Sequence, residues 1–338
     1  MKFKFVFLFI IIVSAIIWMA TSKEESSLPK INGVSLVAPR DSMTIDALES
    51  VKRINAGWVA IIPYSFVNKS NPEVIFDNGH QWWGERSEGA KTTINYAKAH
   101  DLKVMLKPHT WVRGEGWAGD FELDTEEEWK IWEDSYRKYI LKYAQIAQNS
   151  GVEMLCIGTE YRKAATQRSL FWVDLIQKIR NIYSGKLIYA ANWDNYNSIT
   201  FWNKLDYIGI DAYYPLSNEK TPTMDSLTIS WNVIKRDIAN LSNKYNKKVI
   251  FTEFGYESID YSAKGHWLRN DTEASPNQLA QANGYKAIFD LWKEDWFEGG
   301  FLWKWHTNHE QIGGPNCKRY TPQNKQAEEV ITEFYCKN

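Results

Sequence analysis

The sequence predicts an α/β fold: a (β/α)8 or TIM barrel making up a single domain. Three observations predict it. Strand-like and helix-like patterns alternate without a break along most of the chain, the strand-like runs number eight, and those runs carry almost no charge. Strict alternation of the two patterns implies a parallel sheet. Runs that are apolar on both sides suit strands covered on both faces. Eight such units favour a closed barrel over a doubly wound sheet, and 338 residues hold one barrel with insertions.

The strands are predicted at 31–39, 57–64, 103–109, 152–160, 186–193, 205–215, 248–256 and 299–305. The helices between them carry clear punctuation. Thr125-Glu-Glu-Glu128 is a capping box, followed by Trp129, Trp132, Tyr136, Ile140 and Tyr143 at spacings of three and four. That helix stops at Gly151, and a second, from Leu170 to Tyr183, stops at Gly185. Ser275-Pro276-Asn277-Gln278 reads as a cap, a first-turn proline and a capping glutamine. No repeat and no linker rich in Pro, Gly or Ser divides residues 29–338, which we read as one catalytic domain.

Residues 1–28 are read apart from the fold. Lys2 and Lys4 precede an apolar stretch from Phe5 to Ala20, and Ala20-Thr21-Ser22 offers small residues for cleavage. This is the pattern of an export signal with a linker, or of an uncleaved anchor. The expected location is outside the cytoplasm: secreted, periplasmic or held at the membrane by this segment. Export would permit a bridge between Cys317 and Cys336, while Cys156 sits in an apolar strand as a small buried hydrophobe. The sequons at Asn68, Asn240 and Asn270 matter only in a eukaryotic secretory host.

The charge balance, 40 basic against 41 acidic residues, excludes the basic field that a nucleic-acid partner requires. The 17 tryptophans are the unusual feature of the composition. Several lie near predicted strand ends, where flat rings suit the faces of sugars; the rest belong to the core.

Two strands end on a glutamate, at Glu160 and Glu253. The C-terminal ends of barrel strands converge on one mouth. Two carboxyls facing each other there are the apparatus of glycoside hydrolysis, provided one stays ionised and the other holds a proton. The sixth strand ends in Tyr213 and Tyr214; Tyr213 is the better placed to donate a hydrogen bond to the nucleophilic carboxylate. In the eighth, Trp303 and Trp305 share a face by the two-residue period, and Trp305, nearer the mouth, is expected to floor the sugar site. Asn192 and Trp193 end the fifth strand, and Lys107, His109 and Trp111 end the third; all are placed to reach sugar hydroxyls or faces.

Three other patterns do not carry chemistry. Gly114-Glu-Gly116-Trp-Ala-Gly119 matches the dinucleotide glycine pattern, but acidic, extended sequence follows where a helix must begin, so it reads as a substrate loop. His306 and His309 lack helical metal-ligand spacing. No Gly-x-Ser-x-Gly elbow occurs. No cofactor and no metal are expected.

The chain resembles a retaining glycoside hydrolase of the barrel clan with glutamates on strands four and seven. More narrowly it is similar to glycoside hydrolase family 113, the β-mannanase family. The resemblance spans about residues 31–305. It rests on Gly33-Val-Ser-Leu-Val-Ala-Pro39, Leu106-Lys-Pro-His109, Ile157-Gly-Thr-Glu160, Ala191-Asn-Trp193, Asp211-Ala-Tyr213-Tyr-Pro215 and Phe251-Thr-Glu253-Phe-Gly255. It implies Glu160 as acid/base and Glu253 as nucleophile. Thr159 stands where most of the clan has an Asn that grips the sugar 2-hydroxyl, which leaves Asn192 as a candidate for that grip. The function implied is cleavage of β-1,4-mannosidic bonds in mannan by double displacement, by a monomer. The alternatives are an exo-acting β-mannosidase or other retaining β-glycosidase of this fold, a non-catalytic glycan-binding barrel, and a membrane-anchored structural protein. For the enzyme, two carboxyls about 5–5.5 Å apart are expected.

Overall fold

Eight parallel strands close into a barrel in chain order, the last pairing back onto the first. The computed structural model describes residues 29–338 except 115–116 and 269–273. The leader read at 1–28 and the sequon at Asn270 lie outside the described residues. The barrel strands are β1 Ile31–Leu36, β2 Trp58–Ile61, β5 Lys103–Leu106, β7 Met154–Thr159, β8 Lys186–Asn192, β9 Ile208–Asp211, β10 Val249–Phe254 and β11 Phe297–Trp305. Each falls on an expected run. Each of those runs, except the last, extends past its strand into a loop at the mouth.

Alternation along the strands builds two apolar layers. Ile31, Ala60, Met105, Met154, Cys156, Ile188, Ala190, Ile250 and Phe301 fill the barrel interior. Gly33 makes room for this packing, because a Cβ there would lie 2.5 Å from the Phe301 ring. The intervening residues face the helices and join a larger layer that contains Trp132, Trp172, Trp231 and Trp292. The interior thus forms a packed floor. Polar residues that continue the inward phase appear above it.

The helix Glu126–Asn149 starts as expected: Thr125 Oγ1 accepts from Glu128 N at 3.3 Å, and Glu128 Oε2 accepts from Thr125 N at 3.0 Å. Trp129, Trp132, Tyr136, Ile140 and Tyr143 are all buried. Gly151 follows the helix at φ +59, a conformation glycine adopts without penalty. The second helix is Ser169–Arg180. The helix Gln278–Ile288 starts two residues later than its sequence signal. Asn277 is the cap, accepting from Ala280 N at 3.0 Å. Ser275 N instead donates to Asp260, and Pro276 pairs with Ile259, so tertiary contacts hold Ser275 and Pro276 outside the helix.

β3 Tyr64–Asn68, β4 Asn71–Ile75 and β6 His109–Val112 form a small sheet in the order β4, β3, β6. Pro63 and Pro108 interrupt the chain after β2 and β5, and the chain resumes as β3 and β6 above the barrel. Tyr139 ties this sheet to the helix layer by donating to the carbonyls of Pro63 at 3.2 Å and His109 at 2.9 Å. Cys156 lies in the barrel interior, and Cys317 and Cys336 are free thiols.

Candidate active site

Both glutamates follow irregularities in their strands. The pairing of β7 with β8 shifts register between Cys156 and Thr159, and that of β10 with β9 shifts between Phe251 and Glu253. Such shifts re-aim the side chains beyond them. Glu160 also takes a left-handed backbone, φ +53, which costs a non-glycine residue about 1 kcal/mol. Its N–H donates to Ala190 O at 2.8 Å and its carbonyl accepts from Arg162 N at 2.7 Å. These bonds hold the turn that presents the carboxyl.

Glu253 is surrounded by donors. Oε1 accepts from Lys107 Nζ at 2.5 Å and Oε2 from the Tyr213 hydroxyl at 2.7 Å. His109 Nε2 stands 3.4 Å from Oε1. Burial, and then the Lys107 charge, hold the His109 ring well below its ordinary pKa, so it is neutral near pH 7. For Lys107, burial opposes the charged form, but Asp211 and Glu253 together outweigh it and keep the ammonium protonated. The expectation that Lys107 reaches a sugar hydroxyl is therefore corrected. It is wholly buried, and its ammonium is engaged by Glu253 at 2.5 Å and Asp211 at 3.1 Å.

Glu160 has a different setting. Its Oε2 accepts from the Trp117 indole N–H at 2.5 Å. Burial first, then the negative charges of Asp211 and Glu253, push its pKa up to about 8; the Trp117 bond opposes them. A carboxyl so placed carries a proton at neutral pH, whereas Glu253 sits against a fixed cation. The mouth thus sets a proton-bearing carboxyl, Glu160, beside a carboxyl held by a lysine and a tyrosine, Glu253.

The tryptophans of β11 part company. Trp303 faces Ser35 of β1 and Trp305 faces the next residue, Leu36, because the ladder slips there. Adjacent residues of β1 point to opposite faces, so the two rings do as well. Trp303 stacks parallel to His109, 6.1 Å between centroids and 6° between planes. Trp305 is 0% exposed, lies in the layer against the helices and donates to Ser50 Oγ at 3.0 Å. The expected sugar floor at Trp305 is therefore corrected: its ring lies in the core, and of the two it is Trp303 that stands at the mouth. Tyr214 is corrected too: it is buried edge-on against Trp231 of the helix Met224–Tyr245, not in the mouth.

Asn192 is buried beside Asp211 in the ladder, and its amide donates to Asp194 Oδ1 at 2.8 Å. Trp193 stacks on Trp267, with 5.5 Å between centroids. Trp111 is 59% exposed and Trp82 47%, and both line a cleft of about 710 Å³ beside the mouth. Tyr64, Phe66, Met43 and Trp303 are among its other apolar lining residues, and Arg40, Asp41, Glu85 and Lys304 add charge. His306 lines this cleft as well, while His309 turns to Glu328 at 2.7 Å.

Sequence reasoning missed three members of this site. Trp117 was hidden in the glycine-rich loop, two of whose residues, 115 and 116, lie outside the described ones. Tyr64 closes an apolar run in the sequence, but in the structure it opens the rim sheet and packs edge-on to His109 at 5.3 Å. Asp211 did leave a signal: it is the one charge inside Ile208-Gly-Ile-Asp-Ala.

Comparison with known proteins bears on the fold and the family. The model of Glycoside Hydrolase Family 113 matches residues 39–325. No curated protein matches the chain significantly. Among solved structures, a GH113 β-1,4-mannanase in complex superposes with a TM-score of 0.78 at 25% identity, covering 92% of this chain and 100% of that one. The GH113 β-mannanase of Alicyclobacillus acidocaldarius in complex with ManMIm gives 0.78 at 23%, covering 92% and 98%. A Faecalibacterium prausnitzii β-glucuronidase gives 0.62 at 14%, covering 91% and 49%, a likeness of fold alone. The chain is a glycoside hydrolase and belongs to family 113.

Proposed function

We propose that this enzyme hydrolyses internal β-1,4-mannosidic bonds of mannan-type polysaccharide by double displacement, acting outside the cytoplasm as a monomer. The observation that carries the reading is the contrast between the two glutamates. Glu253 accepts from Lys107 and Tyr213 and is the nucleophile; Glu160, buried and raised to about 8, is the acid/base. Glu160 first protonates the leaving oxygen while Glu253 attacks the anomeric carbon. Glu160, now ionised, then takes a proton from the water that hydrolyses the glycosyl-enzyme. Trp303 floors the reacting sugar. The cleft that runs on to Trp82 and Trp111 supports action on a chain over action on a terminal unit. The relatives named as β-1,4-mannanases support mannan as substrate.

The test is a reducing-sugar assay on mannan, glucomannan, galactomannan and β-glucan, with Glu253→Ala as the control. Release of mixed oligosaccharides from mannan is expected. Release of mannose alone would favour an exo-acting enzyme, and binding without cleavage a glycan-binding barrel. N-terminal sequencing of exported protein is expected to begin near residues 21–27; intact Met1 on a cytosolic protein would remove the assignment of location.

A further inference from the structure

Asp211 ends β9 at the centre of the site, fully buried, opposite Asn192 on one side and Glu253 on the other. Its Oδ1 accepts from Lys107 Nζ at 3.1 Å and from Thr252 Oγ1 at 2.7 Å. Its Oδ2 is buried without a hydrogen-bond partner among the described residues. A buried carboxyl with an idle oxygen, sharing an ammonium with another acid, is costly to keep for packing alone. We propose that Asp211 is a positioning residue for both catalytic glutamates: it anchors Lys107 on Glu253, and its charge keeps the proton on Glu160.

The first half of this follows from the contacts. Lys107 arrives on a flexible four-carbon stem and has three donors. Bonded to Glu253 alone, the ammonium keeps freedom to swing; bonded also to Asp211, which Thr252 fixes, it is held at one point. Glu253 is in turn held between Lys107 and Tyr213. The second half follows from the charge count. Glu160, Asp211 and Glu253 share one fully buried ammonium, that of Lys107. Full ionisation would leave two uncompensated negative charges, so one carboxyl retains its proton.

Lys304, half-buried on β11, acts on Glu253 from the mouth side, and the groups packed around Glu160 and Asp211 add no positive charge. Tyr213 follows β9, Cys156 lies on β7 and Tyr189 on β8; all three are pushed upward, by burial first, and stay neutral. His109 is neutral as well. Asp211 itself is raised to about 7, by burial first and then Glu253. It is therefore ionised in the range where Glu160, raised to about 8, gives up its proton.

This inference rests on the glycosidase reading, and the experiment separates the two. The alkaline limb of kcat/KM is compared for wild type and Asp211→Asn. Removing the negative charge makes Glu160 a stronger acid, so the limb is expected to move down by roughly one pH unit. Loosening Lys107 is expected to lower kcat on the order of tenfold or more, with KM nearly unchanged, because Asp211 is shut off from the cleft. If Asp211→Asn does not fold, Thr252→Val decides. Without that hydroxyl Asp211 holds its own proton to higher pH, and the limb again moves down. Folded variants with a wild-type limb, or with a lowered melting temperature and unaltered kcat, overturn the proposal. The same titration is read without substrate by carbon NMR of labelled glutamate carboxyls, with Glu160 assigned through Glu160→Gln. A wild type inactive on every glycoside would remove the functional reading and leave this titration to judge Asp211.

Discussion

Lys107 donates to Glu253 Oε1 over 2.5 Å from a position closed to solvent. The pair sets a fixed cation against Glu253 in a pocket that holds two other acids. It also makes Lys107 hard to replace. Lys107→Met keeps most of the volume and deletes the charge, leaving Glu253 and Asp211 facing each other. Breaking a buried pair in this way costs about 3–5 kcal/mol. Thermal unfolding is expected to show that loss, and the protein that does fold is expected to be nearly inactive. Retention of both stability and turnover would mean that Glu253 needs no cation.

The two tryptophans of β11 make a paired test. Trp305→Ala empties a site in the core and breaks the bond to Ser50, so a loss of about 3–5 kcal/mol is expected with turnover preserved in the folded protein. Trp303→Ala removes a ring that stands over His109 at the mouth. Its expected effect is the opposite: a small change in melting temperature and a large loss of kcat/KM. Denaturation curves and kinetics on both variants check the assignment, and equal effects would undo it.

These residues also show where sequence reasoning reaches its limit. Eight strands, their order and the two glutamates were legible because apolar runs and their terminal charges are local signals. Tyr213 was legible because it follows β9 at the mouth, and its bond to Glu253 is present at 2.7 Å. Trp305 was misplaced because the two-residue period assumes an unbroken ladder, and the slip opposite Ser35 and Leu36 reverses the phase. Lys107 was read as reaching sugar because its type suggests exposure; its burial depends on Asp211 and Glu253, which lie more than a hundred residues away. The rim sheet escapes a local reading because Tyr64 and His109 pass for the last residues of barrel strands, whereas the barrel strands stop before Pro63 and Pro108 and pairing resumes beyond them.

The Trp117 contact predicts a pH effect of definite sign. Its indole N–H donates to Glu160 Oε2 and favours the ionised form, so it lowers a pKa that burial and neighbouring charges raise to about 8. Wild-type kcat/KM is expected to fall as pH rises through about 8, where the acid loses its proton. Trp117→Phe keeps an aromatic ring and deletes the donor. The alkaline limb is then expected to move to higher pH, opposite to the shift expected for Asp211→Asn. A pH–rate series on both variants checks the signs, and movement of both limbs in one direction would contradict the electrostatic account.

The double displacement proposed above makes a stereochemical prediction that centres on Glu253. Each of its oxygens accepts one strong donor, Lys107 on Oε1 and Tyr213 on Oε2. Those bonds fix the carboxylate plane and leave a lone pair on each oxygen for a reacting carbon. A general base in an inverting enzyme must instead hold a water between itself and the sugar, with the carboxyls about 6.5–9.5 Å apart. Glu160 supplies a proton at neutral pH and, once ionised, can take one back from water, as double displacement requires. Two displacements at one carbon restore its configuration. The first product released from a β-linked substrate is therefore expected to be the β-anomer. Proton NMR of the anomeric signals, read before mutarotation, measures this directly. A first product in the α form would mean inversion and would remove Glu253 from the role of nucleophile.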